Sequence, residues 1–75
     1  MTTTSHPYQS EFARRYVSEG EADAVLQVLA ARGISVPDEV RNTIAGCTDL
    51  DQLKVWVRQA ATADKVEDLD LAGAA

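Results

Sequence analysis

ISVPDEVRNTIAGCTDLDQLKVWVRQAATA, residues 34–63, holds two helix starts with a Gly-Cys turn between them. In the first, Ser35 or Val36 takes the cap, and Pro37 falls in the first turn, where its missing N–H does no harm. Asp38 and Glu39 then face the positive end of the helix dipole. Val36, Val40, Ile44 and Cys47 recur at helical spacing and form the expected buried stripe, which Gly46 ends. Thr48-Asp49-Leu50-Asp51 repeats the start signal, with Thr48 as cap and Asp51 three residues on. The helix that follows is expected to bury Leu50, Leu53, Trp56, Val57, Ala60 and Ala61. It should turn Asp51, Lys54, Arg58 and Gln59 to water. The segment reads as a helix-turn-helix unit.

Upstream, Arg32-Gly33 is a helix stop, because glycine tolerates the left-handed conformation that closes a last turn. Before it stand two apolar sets at helical spacing, Tyr8, Phe12 and Tyr16, then Ala22, Val25, Leu26 and Leu29. Projected at about 100° per residue, their centres lie roughly 90° apart. Ser18-Glu19-Gly20-Glu21 between them fits a capping box, and Gly20 weakens a continuous helix by about 1 kcal/mol. Two arrangements satisfy this pattern, one bent helix from about Tyr8 to Arg32 or two helices. The run of Glu, Ala, Arg and Gln without proline favours the bent helix.

Residues 1–7, rich in Thr and Ser, cannot bury enough apolar surface to offset their ordering entropy and read as a disordered leader. Downstream, Asp64 with Glu67 opens a last turn whose Val66 and Leu69 could fold back onto the core, and the chain is expected to fray from Leu71. The resulting expectation is an all-α fold, a small bundle of three to four helices with a long first helix. Residues 8–71 form its single domain, and 72–75 form a frayed end.

Seventy-five residues allow one domain, and a chain this short buries only about 60% of its unfolded surface. Such scaffolds gain stability from disulfides, a metal or self-association. Cys47 is the only cysteine and His6 the only histidine, so a disulfide or a tetrahedral metal site within the chain has no ligands. Self-association is what remains. Twelve Asp and Glu against seven Lys and Arg give a net charge of -5, a field that opposes nucleic acid. No apolar run approaches the roughly 18 residues a membrane span needs, and the first ten residues lack the pattern of a secretion signal. A cytoplasmic location is the expectation, and it suits a lone thiol.

No catalytic set emerges. Cys47 lies on an apolar stripe without a base beside it, and the acidic pairs Asp38/Glu39 and Asp49/Asp51 stand where helix dipoles account for them. Arg14 and Arg15 lie within a helical turn of Glu11 and Glu19, as a solvated ion-paired face requires. A DNA-reading helix-turn-helix would present its second helix start to phosphates, and here that start carries two carboxylates. Trp56 shares a face with Leu53 and Ala60 and reads as a core or interface anchor. The rings of Tyr8, Phe12 and Tyr16 aim away from the core set and form the candidate partner surface.

Tyr8-Gln9-Ser10-Glu11-Phe12-Ala13-Arg14, Glu19-Gly20-Glu21-Ala22, Arg32-Gly33-Ile34-Ser35-Val36-Pro37-Asp38 and Gly46-Cys47-Thr48-Asp49-Leu50-Asp51-Gln52-Leu53 with Trp56 together carry a resemblance. They look like the C-terminal tail of large actinobacterial proteins similar to the recombination-promoting nuclease and putative transposase family. The resemblance runs from about Tyr8 to Leu69. It implies a helical appendage to a nuclease domain that uses acidic metal ligands and a lysine in a restriction-endonuclease-like fold. That region has no counterpart here, so no catalytic residue carries over. Relatives precede the tail with repeated Glu-Gly-Glu-Ala units, of which this chain has one, Glu19 to Ala22.

The function these residues point to is a non-catalytic, cofactor-free helical module. It associates with itself, as a homodimer, or with a protein partner through Tyr8, Phe12, Tyr16 and Trp56. The alternatives are an accessory nucleic-acid-associated domain, from the family context and the Gly46 turn, and a small-molecule site between helices around Trp56 and Cys47.

Overall fold

The computed structural model describes residues 11–71, with side chains from Ala13 onward. The expected leader, Tyr8, the ring of Phe12 and the expected frayed residues 72–75 lie outside the described residues. Within them the chain is helical without strands: α1 (Glu11–Ala31), α2 (Asp38–Ala45), α3 (Leu50–Thr62) and a short 3-10 turn, Val66–Asp68.

Helix α1 runs unbroken through 21 residues, so a new helix does not start at Ser18. The Ser18 hydroxyl donates backward to the Arg15 carbonyl at 2.9 Å, a bond made inside a helix rather than at its cap. Ser18 is also 1% exposed and in line with Ala22, Val25 and Leu29, so packing holds the backbone helical where propensity alone is ambivalent. The stop at Gly33 is as expected. Gly33 sits at φ 73°, its N–H donates to Ala30 C=O at 3.0 Å, and the Ile34 N–H reaches back to Leu29 C=O at 2.9 Å. This pair of bonds is a Schellman closure, which the left-handed residue makes possible.

Both downstream caps fall one residue or more later than the sequence suggests. At α2 neither Ser35 nor Val36 caps. Pro37 itself is the N-cap, with extended ψ 154° and no side-chain bond, and its carbonyl accepts the Arg41 N–H at 2.9 Å. At α3 the cap is Asp49, not Thr48. One Asp49 carboxylate oxygen accepts the N–H groups of Asp51 at 3.0 Å and Gln52 at 3.3 Å. Aspartate caps at least as well as threonine and adds a charge that suits the dipole.

One apolar cluster unites these elements: Ala22, Val25 and Leu29 of α1, Ile44 of α2, Leu53, Trp56 and Ala60 of α3, then Ala63, Val66 and Leu69. Val36, Val40 and Cys47 are half-buried at its edge, with Leu50 and Val57. Ala61 is exposed rather than buried, because Leu53, Trp56 and Ala60 repeat at three and four residues and the next position turns away. Gln59 is half-buried rather than turned to water, and Leu71 packs at the edge of the core instead of fraying.

Helix α1 is the hub, packing mainly on α3 and less extensively on α2. Its Arg14 borders the same cleft as Thr48, Asp49, Leu50 and Asp51 at the start of α3. At the other end Arg32 bonds carbonyls at the end of α3, so α1 and α3 run in the same direction. Helix α2 runs the opposite way, with Ile34, Val36 and Arg41 beside Leu26 to Ala30 and Ala45 beside Glu19 and Ala22.

Candidate interaction surface

The helices divide the four residues singled out from the sequence. Trp56 is fully buried and its indole N–H donates to the Asp70 carbonyl at 3.0 Å. It therefore anchors the core and is withdrawn from a partner surface, because its face of α3 is the face that meets α1. Cys47 is half-buried, its Sγ 3.7 Å from the Asp49 carbonyl. Tyr16 is the ring that the structure leaves outward, 72% exposed, and its neighbour Val17 is 47% exposed. Among the described residues these are the large apolar side chains that stand in water.

Val17 was not singled out from the sequence, although a signal for it exists. Ala13, Val17, Gly20, Ala24, Gln27 and Ala31 follow one another at alternating four- and three-residue spacing. That is the period of a helix seam, and it runs along α1 opposite the Ser18, Ala22, Val25 and Leu29 stripe. Small side chains hide it from a search for large apolar residues. Val17, Gly20, Gln27 and Ala31 are exposed, while Ala13 and Ala24 are half-exposed. A Cβ placed on Gly20 would meet nothing within 4 Å, so no close approach within the chain calls for glycine there. Arg14, Tyr16 and Asp23 border this face and are exposed, and Glu21 beside them is half-exposed.

Several charged and polar groups elsewhere are tied into the fold. Arg32 Nη1 donates to the Ala60 carbonyl at 3.1 Å and also to the Ala63 carbonyl. It closes the end of α3, whose own last turn holds no basic residue, by bringing a cation to the negative end of that helix. The Asp70 N–H donates to Gln59 Oε1 at 2.9 Å. With Trp56 holding the Asp70 carbonyl, one residue of the tail is fastened to α3 at both its peptide groups. Asp68 accepts the Asp64 N–H at 2.8 Å and the Lys65 N–H at 3.3 Å, and its carboxylate lies 3.9 Å from the Lys65 ammonium. The Asp64 bond first, then the Lys65 bond and charge, hold its carboxyl below the ordinary value against a partly opposing desolvation.

The ion pair Lys65–Asp68 is the one formed among the described residues, so Arg15 and Glu19 do not close the pair their spacing permits. Among those residues no three of His, Cys, Asp and Glu gather as metal ligands, and no helix is long and apolar enough to cross a membrane. The α2-turn-α3 unit leaves Asp49 and Asp51 exposed at the start of its second helix, a charge that repels a phosphate backbone. No family model, curated protein or solved structure matches the chain.

Proposed function

We propose that this protein is a non-catalytic helical interaction module, a small three-helix bundle that associates with itself or docks onto a larger protein partner through the outer face of α1. The observation that carries the reading is the exposure of Tyr16 at 72% and Val17 at 47% on a helix whose opposite stripe is fully buried. Aromatic rings on a rigid element make effective interface anchors, because few rotors are frozen when they are covered. Phe12 lies one turn before Tyr16 on the same helix, and Tyr8 one turn earlier in the sequence pattern. The resemblance read from the sequence would make the module an appendage of a larger protein, and the carboxylates at the start of α3 weigh against the nucleic-acid reading.

The double variant Phe12→Ala with Tyr16→Ala tests the proposal. Light scattering on the wild-type chain is expected to give a mass above the 8.1 kDa of one copy, or the chain is expected to retain a protein partner. The variant should lose that association while keeping its helical circular dichroism. A variant whose mass, partner retention and melting all match the wild type would remove the reading.

A further inference from the structure

We infer that the partner of the α1 outer face is a second copy of the same helix, lying antiparallel, with Val17 of each copy seated over Gly20 of the other. This inference rests on the self-associating form of the function just proposed. The argument begins with Gly20, which weakens the helix it occupies and yet has open space around it in the single chain. A helix position without a side chain becomes useful when another backbone comes close, since the side chains at the contact set the distance between two helix axes.

Antiparallel packing fixes the rest. In a two-helix seam of alternating four- and three-residue spacing, unlike seam positions face each other across the axis. Setting Val17 over Gly20 of the second copy places Ala13 over Ala24, so each layer joins small residues or fits a branched side chain into a gap. The flanking positions then meet in like pairs. Arg14 comes opposite Glu21 of the second copy, and Tyr16 comes beside Asp23 of the second copy, each twice by symmetry. Opposite charges thus face each other on one flank, and a phenol faces a carboxylate on the other. Gln27, the polar member of the seam, comes level with position 10, outside the described residues. A parallel pair in register would instead set Val17 on Val17 and Gly20 on Gly20, and bring Tyr16 beside Glu21 and Asp23 beside Val28, so no opposite charges would meet.

Charge exchange on the full chain tests the geometry. Residues 14 and 21 are two turns apart on one helix, beyond the three- and four-residue reach of intrahelical pairs, so rescue between them reports a contact between copies. Arg14→Glu and Glu21→Arg, taken singly, are each expected to weaken dimerisation about tenfold or more. The combination R14E with E21R should return it to near the wild-type value. Arg14→Glu also brings a carboxylate to the cleft bordered by Asp49 and Asp51, so melting is followed in parallel and Glu21→Arg carries the single-variant comparison. Gly20→Leu fills the gap and should abolish the dimer without lowering the helix content. A chain that stays monomeric at every concentration overturns this inference together with the self-associating reading. A dimer indifferent to both charge changes, or not restored by their combination, overturns the antiparallel register and leaves the interaction module standing.

Discussion

Thr48 and Asp49 are neighbours ahead of α3, and the carboxylate of the second closes two amides that the helix leaves free. Replacing Asp49 by alanine is expected to cost about 1 kcal/mol, while Thr48→Ala should leave stability within the error of a urea titration followed by circular dichroism. A loss at Thr48 with none at Asp49 would return the cap to Thr48. The pattern itself is degenerate here, since Thr48 has Asp51 three residues on and Asp49 has Gln52. Sequence fixes the start of α3 to within a residue, and the choice falls to whichever oxygen reaches the amides. Trp56 divides similarly into a legible and an illegible half. Its spacing with Leu53 and Ala60 announces a buried ring, but its hydrogen-bond partner is the backbone carbonyl of Asp70, and backbone carries no side-chain signature.

Along α1 the two glycines make opposite demands. Gly33 occupies the left-handed region at φ 73°, so Gly33→Ala should cost roughly 1 to 2 kcal/mol. Gly20 is helical with open space around it, and Gly20→Ala should stabilise the isolated chain by about 0.5 to 1 kcal/mol. Thermal melting at dilutions where the chain is monomeric reads both, and a lower melting point for Gly20→Ala would show a hidden constraint at that position. The stop at Gly33 was the readable part of this element, because ending a helix there needs a special residue. Its continuity was less readable. Two apolar sets aimed in different directions left one bent helix or two open, and only the run without proline favoured one; α1 is continuous, with one side in the core and Tyr16 exposed.

Across the molecule, Asp68 gives acid one route to the fold. Its folded carboxyl titrates below the usual value of about 3.9, so the folded state holds fewer protons than the unfolded chain. The stabilisation is complete above the unfolded value and fades as pH drops through the folded one. Emission from the buried Trp56 should therefore begin to shift below about pH 4, and Asp68→Asn should remove part of that acid transition. An identical profile in the variant would show that Asp68 does not govern it. All-helical character was legible throughout, from periods, stops and starts. The directions of the helices were not, since they rest on contacts such as Arg32 with the carbonyls of Ala60 and Ala63, between residues distant in sequence. Those same directions bear on how the chain folds. Because α1 and α3 lie side by side pointing the same way, the polypeptide must travel back along the molecule through α2 before its main helix pair can meet. The loop-closure entropy of that excursion is spent before the largest contact forms. A nucleus that included the α1–α3 pair would have to bring together residues from both ends of the described sequence, a non-local contact of the kind that slows folding.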